Sequence, residues 1–136
     1  MIAVDTNILV RYLTNDDPIQ AQLALKILSK PEKIFIAKTV LLEVEWVLRS
    51  VYEFKPSEID KAILQILGLP NVVPEFPEQI ALALKYYRQG MDFADALHLV
   101  ANFEIKHFYT FDKAFVKKTK NILPNVTLVK KSTTMD

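Results

Sequence analysis

Cysteine is absent from this chain. That excludes disulfides, thiolate zinc sites and a cysteine nucleophile together. Histidine is scarce: His98 and His107 are the only imidazoles. A bound metal would therefore rest mainly on oxygen, which favours Mg²⁺ or Mn²⁺ over Zn²⁺. No apolar run reaches the roughly 20 residues needed to span a bilayer. The N-terminus also lacks a charged segment ahead of an apolar run and a small-residue cleavage site. The expectation is a cytoplasmic protein with no membrane segment. Internal repeats and low-complexity segments are missing too. Two glycines are present, and Gly68 and Gly90 each fall where a helix is expected to end.

What is present is the balance of a globular protein: 136 residues, 51% hydrophobic and 24% charged. This length suits one domain, expected over residues 1–131, with residues 132–136 as a flexible C-terminal tail. The formal charge of +1 hides an asymmetry. Residues 1–105 hold ten Lys/Arg against fourteen Asp/Glu, whereas residues 106–131 hold seven lysines against Asp112 alone. Lys113, Lys117, Lys118 and Lys120 form the centre of this basic stretch, which suits contact with phosphates. An ordinary solvated lysine face has the same composition.

Strands alternate with helices along the chain. Met1-Ile2-Ala3-Val4 reads as a short buried strand running into Asp5-Thr6-Asn7 and an apolar helix. Asp16 or Asp17 caps a helix with Pro18 at its first position. Ile34 to Ala37 is β-prone, and Thr39 is placed to cap a helix over residues 40–52. There the apolar stripe reads Val40, Val44, Val47, Leu48 and Val51. Ser57 and Asp60 resemble a capping box for a helix ending near Gly68. Val72-Val73 is a short strand, Pro77 starts a helix stopped by Gly90, and another helix covers residues 92–104. His107 to Thr110 is a strand, residues 113–118 a short helix, and Thr127 to Val129 a final edge strand. Such alternation predicts an α/β fold with a parallel sheet covered on both faces.

Four carboxylates stand out against that plan. In open α/β sheets ligands bind beyond the carboxyl ends of the strands, and Asp5 and Asp112 each follow a strand. Both can reach one edge if their strands are neighbours. Asp95 lies in the first turn of its helix, with Asp92 as the expected cap. Glu43 sits beside the apolar stripe of its helix, whereas Glu45 is expected to point away from it. Each acid also has an ordinary reading: Asp5 as an N-cap, Asp95 as the partner of Asp92 in a box-like arrangement, Glu43 as an exposed edge residue. If the four meet in space, they make a metal site.

The segments Val4-Asp5-Thr6-Asn7, Glu43, Asp92-Phe93-Ala94-Asp95-Ala96-Leu97-His98-Leu99 and Thr110-Phe111-Asp112-Lys113-Ala114-Phe115 together resemble the PIN domain family. Within it, they are most similar to the small VapC-like toxin ribonucleases of toxin–antitoxin pairs. The resemblance covers nearly the whole chain. It implies a three-layer α/β/α fold with a central, mainly parallel sheet. It further implies that Asp5, Glu43, Asp95 and Asp112 bind one or two divalent metals, Mg²⁺ or Mn²⁺. Thr6, Asn7 and Thr110 then occupy supporting positions around that cluster. The implied activity is hydrolysis of RNA phosphodiesters by metal-activated water, with no need for a histidine base. A small antitoxin protein encoded beside the chain and a homodimer are the implied partners. Trp46, Tyr86 and Tyr87 are candidates for an interface, or else for the core. His98, three residues after Asp95, is read either as a substrate contact or as a structural histidine at the helix surface.

Two further classes compete. A phosphatase of the haloacid dehalogenase type wants a second Asp two residues after the first, where this chain has Asn7. A receiver domain wants an acidic pair near its first strand, which Asp5-Thr6 does not supply. The non-enzyme alternative is a PIN-like RNA-binding or assembly module, which loss of an acid would signal. All four acids are in place.

Overall fold

The computed structural model describes residues 1–131; the expected C-terminal tail, residues 132–136, lies outside the described residues. The elements run β1 (Ile2–Ala3), α1 (Thr6–Thr14), α2 (Pro18–Leu28), β2 (Ile34–Ile36), α3 (Lys38–Ser50), α4 (Pro56–Leu67), β3 (Val72–Pro74), α5 (Pro77–Arg88), α6 (Phe93–Ala101), β4 (Phe108–Thr110), α7 (Lys113–Thr119) and β5 (Val126–Leu128). Every strand pairing is parallel. β2 lies between β1 and β3, in register Ile2 with Ile34 and Ile34 with Val72. β4 pairs with β5, Tyr109 opposite Thr127. Parallel neighbours need long crossovers, and here helix pairs supply them: α1 and α2 between β1 and β2, α3 and α4 between β2 and β3. The result is a three-layer α/β/α arrangement, as the alternation predicted. Hydrogen bonding among the described residues divides the sheet into β1-β2-β3 and β4-β5. The strands preceding Asp5 and Asp112 are therefore not paired neighbours.

The core explains the order of the layers. Ile34 and Ile36 on one face of the central strand are fully buried and Phe35 on the other is half-buried, as expected of a parallel strand covered on both faces. Leu9 of α1, Leu41, Val44 and Leu48 of α3, Ile59, Ile63 and Ile66 of α4, Ile80 and Leu84 of α5, and Phe93 and Leu99 of α6 join them in one cluster. The sets on α3, α4 and α5 recur at spacings of three and four, so each of these helices turns one apolar face inward. Of the aromatic interface candidates, Tyr87 is core, Tyr86 packs edge-on against Phe103, and Trp46 is 55% exposed.

One open alternative is resolved and two local expectations are corrected. Asp17, not Asp16, caps α2, accepting from Gln20 N at 3.1 Å. Asp16 instead accepts from Tyr52 Oη at 2.8 Å and pairs with Arg11 at 3.0 Å. The third helix starts at Lys38, so Thr39 is already inside it. Its first amide is satisfied from across the sheet edge, where Glu75 accepts from Lys38 N at 2.9 Å. Pro56 begins the fourth helix one residue before Ser57. The third helical position is then Glu58, which accepts from Lys55 N at 2.9 Å, while Asp60 binds Arg88 at 2.8 Å. Gly90, just past α5, takes φ +100°, which an L side chain rarely adopts.

Candidate metal centre at the sheet edge

Besides Asp17, three aspartates open helices. Asp5 accepts from Ile8 N at 3.4 Å at the start of α1, Asp92 from Asp95 N at 3.2 Å at the start of α6, and Asp112 from Phe115 N at 3.1 Å at the start of α7. Each is a cap in the ordinary sense, which places a carboxylate at the positive end of a helix. A cap occupies one carboxylate oxygen. The other oxygen of each group accepts no hydrogen bond among the described residues, so capping and coordination are compatible roles for one side chain. Thr110 Oγ1 accepts from Asp112 N at 3.0 Å, which fixes the turn between β4 and α7. Thr6 and Asn7 make no side-chain hydrogen bond among the described residues.

Asp95 is the electrostatic focus. Its side chain is half-buried and receives no side-chain donor among the described residues. Burial, and next the charge of Asp92, hold its carboxyl above the ordinary 3.8; Asp112 adds to the rise, while Lys118 and His98 oppose it. These influences bring Asp92, Asp95, Asp112 and Lys118 into one neighbourhood drawn from α6 and α7. His98 is exposed on the same helix. Asp5 stands at the end of β1, and neither it nor Glu43 is among the principal charges acting on Asp95. Among the described residues, no three His, Asp or Glu side chains stand close enough to hold a single ion.

On α3 Glu45 reverses the expectation, whereas Glu43 takes the exposed edge position that was its ordinary reading. Glu45 is 2% exposed, whereas Glu43 lies at the surface. The buried stripe runs through Leu41, Val44 and Leu48 rather than Val40, Val47 and Val51, and Glu45 falls within it. A buried carboxylate needs partners. Arg49 supplies two hydrogen bonds, Nε to Oε2 at 2.9 Å and Nη2 to Oε1 at 3.3 Å, and Tyr87 Oη donates at 3.2 Å. Burial, then the Glu45 charge, pushes the Tyr87 phenol up. Sequence reasoning missed this network, although Glu45 and Arg49 carry the i,i+4 acid–base spacing that could have revealed it. Glu43 is still turned toward the acidic region: with Trp46, Arg49, Asp92 and Ala94 it lines a cavity of about 410 Å³.

Lys113, Lys117, Lys118 and Lys120 are exposed along and just after α7, and none forms an ion pair among the described residues. The arrangement is an acidic strand-and-helix edge with a basic helix beside it. Its available donors are hard carboxylate oxygens, which fit a hard divalent cation.

A parallel α/β domain with carboxylates at its strand and helix ends belongs to a class whose ligands bind at that edge. The PIN domain family matches residues 2–121, and the chain belongs to that family of metal-dependent nucleases. No curated protein matches the chain significantly. Among the described residues, no helix is long and apolar enough to cross a membrane.

Proposed function

We propose that residues 1–131 form one nuclease domain, a divalent-metal-dependent endoribonuclease that acts in the cytoplasm as the toxin of a toxin–antitoxin pair. The observation that carries the reading is the half-buried Asp95, set among Asp92 and Asp112 and provided with no side-chain donor, in a chain of the PIN family. Mutual repulsion among such carboxylates is relieved by a cation. Asp5, Glu43, Asp95 and Asp112 stand too far apart here for three of them to share an ion; in the bound state they would close on Mg²⁺ or Mn²⁺, with Thr110 orienting Asp112 through its backbone amide. When bound, the ion supplies a water of lowered pKa and positive charge for the scissile phosphate. The protein's own share is positioning. The helix caps fix three carboxylates, and Lys113, Lys117, Lys118 and Lys120 neutralise flanking phosphates. Asp92 acts as a cap that also raises the negative field on Asp95. The partners under this reading are an RNA substrate, a second copy of the chain and a small antitoxin that silences it.

Incubation of the purified protein with a mixed RNA pool and Mg²⁺ or Mn²⁺ tests this. Cutting that disappears with EDTA and in Asp95→Asn is the expected outcome. Undiminished cutting in Asp95→Asn contradicts the site, and no cutting by any form assigns the chain to the binding-module class. Expressed alone, the wild type should arrest growth while Asp95→Asn does not.

A further inference from the structure

Burial alternates along β4 and the residue on either side of it, just before Asp112. His107, Tyr109 and Phe111 are exposed, whereas Phe108 and Thr110 between them are half-buried. Within β4, Tyr109 points away from Phe108 and Thr110, so Phe108 stacks inward on Phe115, ring centroids 5.3 Å apart, while His107 just before the strand and Phe111 in the bend just after it are exposed beside Tyr109. His107 and Tyr109 are already stacked, with centroids 5.7 Å apart and planes 24° from parallel. Phe111 is 80% exposed, the most exposed of the large hydrophobic residues among the described residues. It is not loosely held. Thr110 Oγ1 accepts from Asp112 N, and Asp112 accepts from Phe115 N, so the residues on either side of Phe111 are anchored.

We infer that His107, Tyr109 and Phe111 form a stacking ribbon for unpaired bases of RNA, delivering a single strand to the acidic edge at Asp112. Two observations choose this occupant. The ribbon runs directly into Asp112. It is also bracketed by cations: Lys106 precedes it, and Lys113, Lys117 and Lys118 follow within two turns of α7, all exposed. Aromatic faces beside a cationic track are the combination that binds single-stranded nucleic acid, whereas the cores of protein interfaces are depleted of charge. The inference deepens the nuclease reading and rests on it for the identity of the neighbouring site. It restricts the substrate to unpaired segments.

The test is binding of a fluorescent single-stranded oligoribonucleotide, and of the same sequence as a duplex, to the full chain in EDTA. Phe111→Ala should weaken single-strand binding by about tenfold, leave duplex binding unchanged, and preserve the salt slope, since no phosphate contact is lost. Phe111→Trp should restore affinity. Unchanged single-strand affinity in both Phe111→Ala and Tyr109→Ala overturns the ribbon. So does an equal loss for duplex and single strand, or absence of binding to any RNA. A shift from dimer to monomer in the alanine variants with RNA affinity intact also overturns it, and makes the ribbon a self-interface. A protein that binds single strands through Phe111 yet never cuts retains the ribbon and loses the nuclease reading. Cutting and binding indifferent to Phe111 do the reverse.

Discussion

Glu45 and Arg49 illustrate how unequal the two ends of one ion pair are. The Glu45 carboxylate is 3% exposed and the Arg49 side chain 46%. Removing the arginine strands a buried charge with Tyr87 as its remaining donor, whereas removing the charge of Glu45 leaves a guanidinium that water can reach. Arg49→Met should therefore cost about 3 kcal/mol, and Glu45→Gln only about 1 kcal/mol, measured by urea unfolding at neutral pH. Equal costs would mean the pair is not buried in this way. Asp16 offers a test by pH. The Tyr52 hydrogen bond, followed by those from Thr14 and Arg11, holds its carboxyl below 3.8. A depressed folded-state pKa stabilises the fold above the unfolded value, and that contribution is lost as pH falls through the folded value. Tyr52→Phe should thus lower the melting temperature at neutral pH, with the gap to wild type narrowing below about pH 3.8. A gap constant with pH would separate Asp16 from the effect. At this scale the exposed motifs were legible in the sequence, because Asp5, Asp92 and Asp112 each stand at an element boundary. Glu45 was not. A carboxylate inside an apolar stripe reads as surface until the positions of Arg49 and Tyr87 are known.

The proposed site draws on helix ends, so the same substitutions test both structure and chemistry. Asparagine caps about as well as aspartate, while alanine loses roughly 1 kcal/mol. Asp112→Asn should keep wild-type thermal stability and lose cleavage; Asp112→Ala should lose both. If Asp112→Asn cuts RNA normally, Asp112 is a cap alone. Gly90 tests a boundary that carries no side chain of its own. A Cβ at this position would meet no atom within 4 Å, but φ is +100°, so Gly90→Ala should cost about 1 kcal/mol through backbone strain rather than collision. An unaltered midpoint in thermal unfolding would show that the loop relaxes. Element types followed from periodicity and from Pro18, Pro77 and Gly90. Starts of α3 and α4 did not. The first amide of α3 is capped by Glu75, from another strand end, and such a long-range partner leaves no local trace.

For the whole molecule, the parallel α/β plan was legible because β2 is apolar on both faces and helical stripes flank it. Which strands pair was not: local patterns carry no information about β4 joining β5 rather than β1. The charge asymmetry survives folding as an acidic edge beside the lysines of α7. Neutralising Lys117, Lys118 and Lys120 together should weaken RNA binding and flatten its dependence on salt, by up to about three counterions. An unchanged slope would remove the basic helix from the interface. The central claim is that carboxylates from separate elements, Asp5, Glu43, Asp95 and Asp112, serve one metal site. Calorimetric titration of Mn²⁺ into the wild type and into the four single Asp→Asn or Glu→Gln variants addresses it most directly. Saturable binding in the wild type, weakened in every variant without loss of fold, is the expected result. Wild-type affinity retained in the variants, or no binding to the wild type, would contradict the account.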